Sequence, residues 1–135
     1  MGEAYFEAMA ERFEAGDHRE AMRLLARVER RAAAHVRPLV ARHGLTLRDE
    51  AELRALGKAE AAAETGEWEA LLAGMRRTYP GYVEDFRRLE AMAPEADRAP
   101  LARLTEHETA ALDFLDREAA GTPDPTAPLR AYVAA

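Results

Sequence analysis

From Trp68 to Ala93 the large side chains fall at alternating four- and three-residue steps: Trp68, Leu72, Met75, Tyr79, Tyr82, Phe86, Leu89 and Ala93. That spacing lines one face of an α-helix, whereas a strand would need a period of two. The rhythm runs through Tyr79-Pro80-Gly81-Tyr82 without a change of phase. One helix kinked at Pro80 is therefore expected, not two independent ones.

The same periodicity, bracketed by capping residues, marks four further helices. Tyr5, Phe6, Met9 and Phe13 give a short amphipathic helix from Gly2 to Ala15, closed by Gly16. Asp17 with Glu20 resembles a capping box and opens a long helix that ends at Gly44, with the stripe Ala21, Leu25, Val28, Ala32, His35, Leu39 and with Pro38 near its end. Thr46 with Asp49 is read as a second box, starting a helix to about Thr65. Its inward line is Leu53, Leu56, Glu60 and Ala63. Gly57 costs that helix about 1 kcal/mol relative to Ala, most easily offset by a close backbone contact. Asp97 and Pro100 begin the last main helix, with the stripe Leu101, Leu104, Glu108, Ala111, Leu115, and Gly121 ends it. The prolines at 123, 125 and 128 then impose a loop or tail, beyond which Leu129, Tyr132 and Val133 either dock or stay disordered.

Composition supports the same class. The chain has no Ile and only five Val, against 31 Ala and 15 Leu, so a sheet is not expected and the core is lean, with helices approaching over alanine faces. At 135 residues one core is expected. The fold expectation is thus all-α: an antiparallel four-helix bundle over residues 1–121, a short extra N-terminal helix across an end or side, and a Pro-rich C-terminal tail over 122–135.

A net charge of −6 argues against nucleic acid as a partner. The absence of Cys removes disulfides, thiol catalysis and thiolate metal sites, and suits a reducing cytoplasm. With no secretory or membrane-spanning run visible, a soluble, cytoplasmic protein is expected. Eighteen Arg against the single Lys58, with so much Ala, have the look of a high-GC, bacterial coding bias.

Function is sought where an ionisable residue interrupts an apolar stripe, because such a group must be paired or must shift its pKa. His35, Glu60 and Glu108 do so, each near the middle of its helix, so that in an antiparallel bundle they would meet at similar height. The leading expectation is a metal-independent pocket for a small, mostly apolar molecule. Glu108 and His35 form its acid–base pair, and Tyr79, Tyr82, Trp68 and Glu60 line it.

The block from Trp68 to Gly121 has spaced aromatics, an Ala-Pro break and then Leu-Thr-Glu-His-Glu-Thr-Ala-Ala-Leu-Asp-Phe-Leu-Asp-Arg-Glu-Ala-Ala-Gly. It resembles the last two helices of small bacterial ferritin-like bundle proteins. The resemblance implies a four-helix bundle and, in metal-bearing members, a di-iron or di-manganese centre held by a Glu from each of two helices and a Glu-x-x-His from each of the other two. This chain contains no Glu-x-x-His. It offers Glu29, His35, Glu60 and Glu108 for a remodelled site; His107 is set aside because it points about 100° away from its neighbour Glu108 on a helix. No cofactor is expected, and a ferritin-like metalloprotein stands as one alternative. The other is a homo-oligomeric assembly protein, a dimer above all, joined through Tyr5, Phe6, Met9 and Phe13 or through the tail from Leu129 to Val133.

Overall fold

The computed structural model describes residues 1–14 and 16–135. Among them there are six helices and no strand: α1 (Gly2–Arg12), α2 (Gly16–Arg42), α3 (Glu50–Ala63), α4 (Trp68–Met92), α5 (Glu95–Ala120) and α6 (Ala127–Ala134). The expected end of α1 at Ala15 lies outside the described residues. None of the helices is long and apolar enough to cross a membrane.

Local chemistry sets most boundaries. The helix α4 runs unbroken through Pro80, as its single phase implies. Gly121 stops α5 in the left-handed region at φ 68°, donating to the carbonyls of Arg117 and Glu118. Three starts differ from expectation. Gly16 opens α2 and does not close α1, which ends at Arg12, so Asp17 lies in the first turn of α2 and is not its cap. Asp49 itself caps α3, accepting from the Ala51 N–H, so Thr46 is not the cap. Helix α5 begins at Glu95, directly after Pro94, one turn before Pro100.

Of the two fates open to the tail the chain takes docking, and it does so as a helix. Residues 122–126 are irregular, but Pro128 sits in the first turn of α6, where its missing N–H costs nothing. This last helix packs against α5 and α2, burying Leu129 completely and leaving Tyr132 5% exposed. The Tyr132 hydroxyl donates to the Arg103 carbonyl at 2.9 Å.

Side-chain pairs fix the packing directions. Trp68 meets Glu118, Arg76 meets Asp116 and Glu90 meets Thr105, so α5 folds back along α4. Arg42 with Asp97, His35 with Arg103 and Glu29 with His107 likewise run α2 against α5. The short helix α1 does not lie across an end. It wedges between α2 and α3, because Phe6 and Met9 are too apolar to leave in water and complete the core with Met22, Leu25, Phe114 and Leu115. Helix α3 packs chiefly on α1. Only Gly57 and Ala61 of α3 are buried.

Gly57 explains that crossing. A Cβ there would lie 2.9 Å from the Tyr5 backbone nitrogen and closer still to the Met1 carbonyl oxygen, so the backbones touch only because the side chain is absent. Arg12 ties the far end, donating to the Glu64 carbonyl at 2.8 Å and to that of Gly66 at 3.4 Å. Because α3 is held off by α1, its inner face, α2, α4 and α5 surround an open space.

Candidate functional site

That space is a cavity of about 940 Å³, at the upper end of the volumes in which small molecules bind. One wall is apolar and aromatic, from Phe6, Met75, Tyr79, Tyr82 and Phe86. At its pole stand Glu29 of α2 and His107 and Glu108 of α5, with a donor atom from each lying within 4.8 Å of the others.

His107 is 4% exposed and organises the group. Its Nδ1 lies against the Leu104 carbonyl oxygen, one turn back, and so carries a proton. Nε2 is thereby left facing the carboxylates, 3.2 Å from Glu108 Oε1 and 3.7 Å from Glu29 Oε1. Burial alone would lower the imidazole pKa, but hydrogen bonding to Glu108 and the attraction of Glu29 and Glu108 outweigh it, and the pKa is raised. Burial also raises the Glu29 carboxyl, opposed by His107 and reinforced by Glu108. Tyr79 holds its proton well above the ordinary phenol range, through burial and then the two nearby carboxylates.

The sequence-predicted site is divided by the structure. Glu108, Tyr79, Tyr82 and Glu29 do face the cavity, and Glu60 lines it from α3 while remaining exposed. His35 does not reach it. The ring lies between Arg103, whose Nε is 3.4 Å from its Nε2, and Tyr132, and burial followed by Arg103 and Arg31 lowers its pKa. The acid–base partner of Glu108 in space is His107. Trp68 is also elsewhere: it stacks on His18 at 3.9 Å and donates to Glu118 at 3.2 Å.

The dinuclear centre that the ferritin-like resemblance implies does not fit these donors. Three side chains converge, two of them from one helix, and neither His35 nor Glu60 joins them. Glu29, His107 and Glu108 are spaced to hold at most one ion.

Two other polar or apolar features lie outside the cavity. Asp97, 4% exposed, accepts from Arg42 and sits 2.7 Å from His43 Nε2, locking the end of α2 to the start of α5. Beside it is an apolar cleft of about 410 Å³ flanked by Leu39, Val40, Leu45, Leu89, Met92 and Leu101. Of the apolar residues expected to join two copies, Phe6, Met9, Leu129 and Tyr132 are buried in this chain, whereas Tyr5, Phe13 and Val133 are partly exposed. No protein-family model matches the sequence, and no curated protein or solved structure matches it significantly.

Proposed function

We propose that the chain binds a small, largely apolar molecule in the central cavity, with Glu29, His107 and Glu108 as the polar pole that anchors it and exchanges a proton with it. The observation that supports this most is a buried imidazole held in one tautomer between two carboxylates, Glu108 buried and Glu29 partly exposed, at the end of an aromatic-walled space. A buried group of this kind is costly to a fold that gains nothing else from it. With Nδ1 committed to a backbone carbonyl, Nε2 is free to pass a proton between carboxylate and ligand.

Gly74 supplies the test. It lines the cavity, and a Cβ there would meet only Arg77 Nη2, at 3.6 Å. Gly74→Leu fills the space from a helical position that favours Leu over Gly. In a thermal-shift screen of small aromatic and aliphatic alcohols, amines and acids, a binding site gives concentration-dependent stabilisation, about 2.7 kcal/mol at a hundredfold excess over Kd. The stabilisation disappears in Gly74→Leu. If no compound stabilises the wild-type chain, or Gly74→Leu responds equally, the reading is wrong.

A single divalent cation at the same pole is the second reading, favoured by the 3.2 and 3.7 Å separations around His107 Nε2, which are close to those of ligands sharing one ion. Elemental analysis of chelator-free protein tests it. One equivalent of iron, manganese or zinc supports it, and substoichiometric metal contradicts it.

A further inference from the structure

Four carboxylates line the cavity: Glu29 of α2, Glu60 and Glu64 of α3 and Glu108 of α5. Eighteen Arg are present in the chain, yet among the described residues none forms a salt bridge with any of the four. Arg30 and Arg54 instead take Glu3 and Glu7 of α1, and Arg103 takes Glu106, immediately before His107. Basic charge at the cavity comes from His107, shared between two carboxylates, from the exposed Arg77, and from the Met1 amino group, whose charge reaches Glu29.

Two polar groups of the cavity wall, Glu29 and Tyr79, make no hydrogen bond to the protein among the described residues and stay partly open to the cavity. His107 Nε2 stands 3.7 Å from the Glu29 carboxylate, beyond hydrogen-bond range. Room for that carboxylate comes from Gly2, where a Cβ would lie 2.6 Å from Glu29 Oε2. The Tyr79 hydroxyl, deep in the same wall, likewise has no protein partner among the described residues. A carboxylate that faces a cavity and accepts nothing from the protein is open to a positive donor. Beside these carboxylates the lining is aromatic, with Tyr79 and Tyr82 packed edge to face at 5.7 Å and Phe86 next to His107. Ring faces carry negative potential and attract cations.

We infer that the ligand of this cavity is an organic cation, a protonated or quaternary amine on an apolar body, with its charge against Glu29 and Glu108 and its body among Tyr79, Tyr82 and Phe86. The inference rests on the cavity being a binding site. An anion would meet four carboxylates, and a neutral apolar molecule would cover Glu29 without supplying it a donor. A bare metal ion gives the aromatic wall no role.

Three probes of one size and different charge separate these cases: phenethylamine, phenethyl alcohol and phenylacetate, titrated calorimetrically into the full chain through the millimolar range. The amine is expected to bind about tenfold tighter than the alcohol, as one enclosed ion pair or cation–π contact implies, and phenylacetate not to bind. Added salt and Glu29→Gln each weaken the amine and leave the alcohol within about threefold; EDTA changes neither. Alcohol or acid binding as tightly as the amine overturns the inference while leaving the pocket standing. Loss of amine binding on chelation replaces it with the metal reading. Failure of all three probes on a folded chain overturns the inference and, if the wider screen is also silent, the pocket with it. The comparison of probes on wild-type protein needs no variant to fold.

Discussion

His107 and Glu108 are neighbours in sequence and still meet: Nε2 of one lies 3.2 Å from Oε1 of the other. On an ideal helix adjacent side chains diverge by about 100°. The divergence is overcome by the Leu104 carbonyl, which draws Nδ1 back along the helix and swings the far side of the ring across the path of Glu108. Glu29, arriving from α2, closes the group.

Because the raised pKa of His107 comes from Glu108 and Glu29 acting against burial, it depends on them. An NMR titration of the imidazole Cε1–H should give a midpoint above the ordinary 6.5 in the wild-type chain and a lower one in Glu108→Gln. A group whose folded pKa is raised adds stability below its unfolded pKa and loses it as pH rises through the folded value. Wild-type stability should therefore gain more on moderate acidification than that of His107→Ala. A wild-type midpoint below 6.5 would show that burial dominates.

Glu29 shows the cost of the site. Its raised pKa has the same sign, so its charge works against the fold as pH rises from the ordinary 4.5 through the raised value. Glu29→Gln should melt higher than wild type at neutral pH and lose ligand affinity in the same step, the opposition typical of a functional group held against stability. The difference in melting temperature should vanish at acid pH, where both side chains are neutral. A variant that melts lower at neutral pH would mean that its attraction to His107 outweighs its burial.

How far the sequence could be read follows from which interactions are local. The phase of α2 and α5, Gly121 as a stop and the continuity of α4 through Pro80 depend on neighbours a few residues apart and were legible, whereas the inward line of α3 was not, since Leu56, Glu60 and Ala63 are exposed and Gly57 and Ala61 are buried instead. The close approach at Gly57 was legible as well, since an interior helical glycine needs a reason. Rotation of α2 about its axis was not. The stripe drawn through Ala32, His35 and Leu39 holds, yet at His35 that face has turned from the cavity toward Arg103 and Tyr132 of elements distant in sequence. Glu29, one residue beyond Val28, takes the place assigned to His35. His107 was missed because the backbone bond that redirects it leaves no mark in residue spacing, and α6 because docking on α2 and α5 outweighs its prolines.

The crossing at Gly57 makes α3 the helix most sensitive to a single added atom. Gly57→Ala gains helix propensity of about 1 kcal/mol but meets backbone atoms that cannot yield as a side-chain tip would, a conflict costing about 1–3 kcal/mol. Hydrogen exchange should show the α3 amides, already faster than those of α5 in the wild-type chain, accelerated selectively. Uniform acceleration of all helices would mean that α3 is not a separate unit.

At the other end, Asp97 joins α2 to α5. Hydrogen bonding to His43 lowers its pKa, opposed by desolvation and aided by the charges of His43 and Arg42. A depressed carboxylate contributes stability above its unfolded pKa and loses it as pH falls through the folded value. Asp97→Asn should lower the melting temperature at neutral pH and converge with wild type in strong acid. A constant difference across the acid range would make its role steric, not ionic.

The most direct measurement is a heteronuclear NMR screen of small amines, alcohols and acids against the labelled full chain, with shift changes mapped on the fold. Binding in the central cavity predicts perturbations gathered at Tyr79, Phe86, Leu104 and His107 and absent in Gly74→Leu. Perturbations gathered instead at Leu45, Leu89 and Met92, around the smaller apolar cleft, would contradict it, as would none at all.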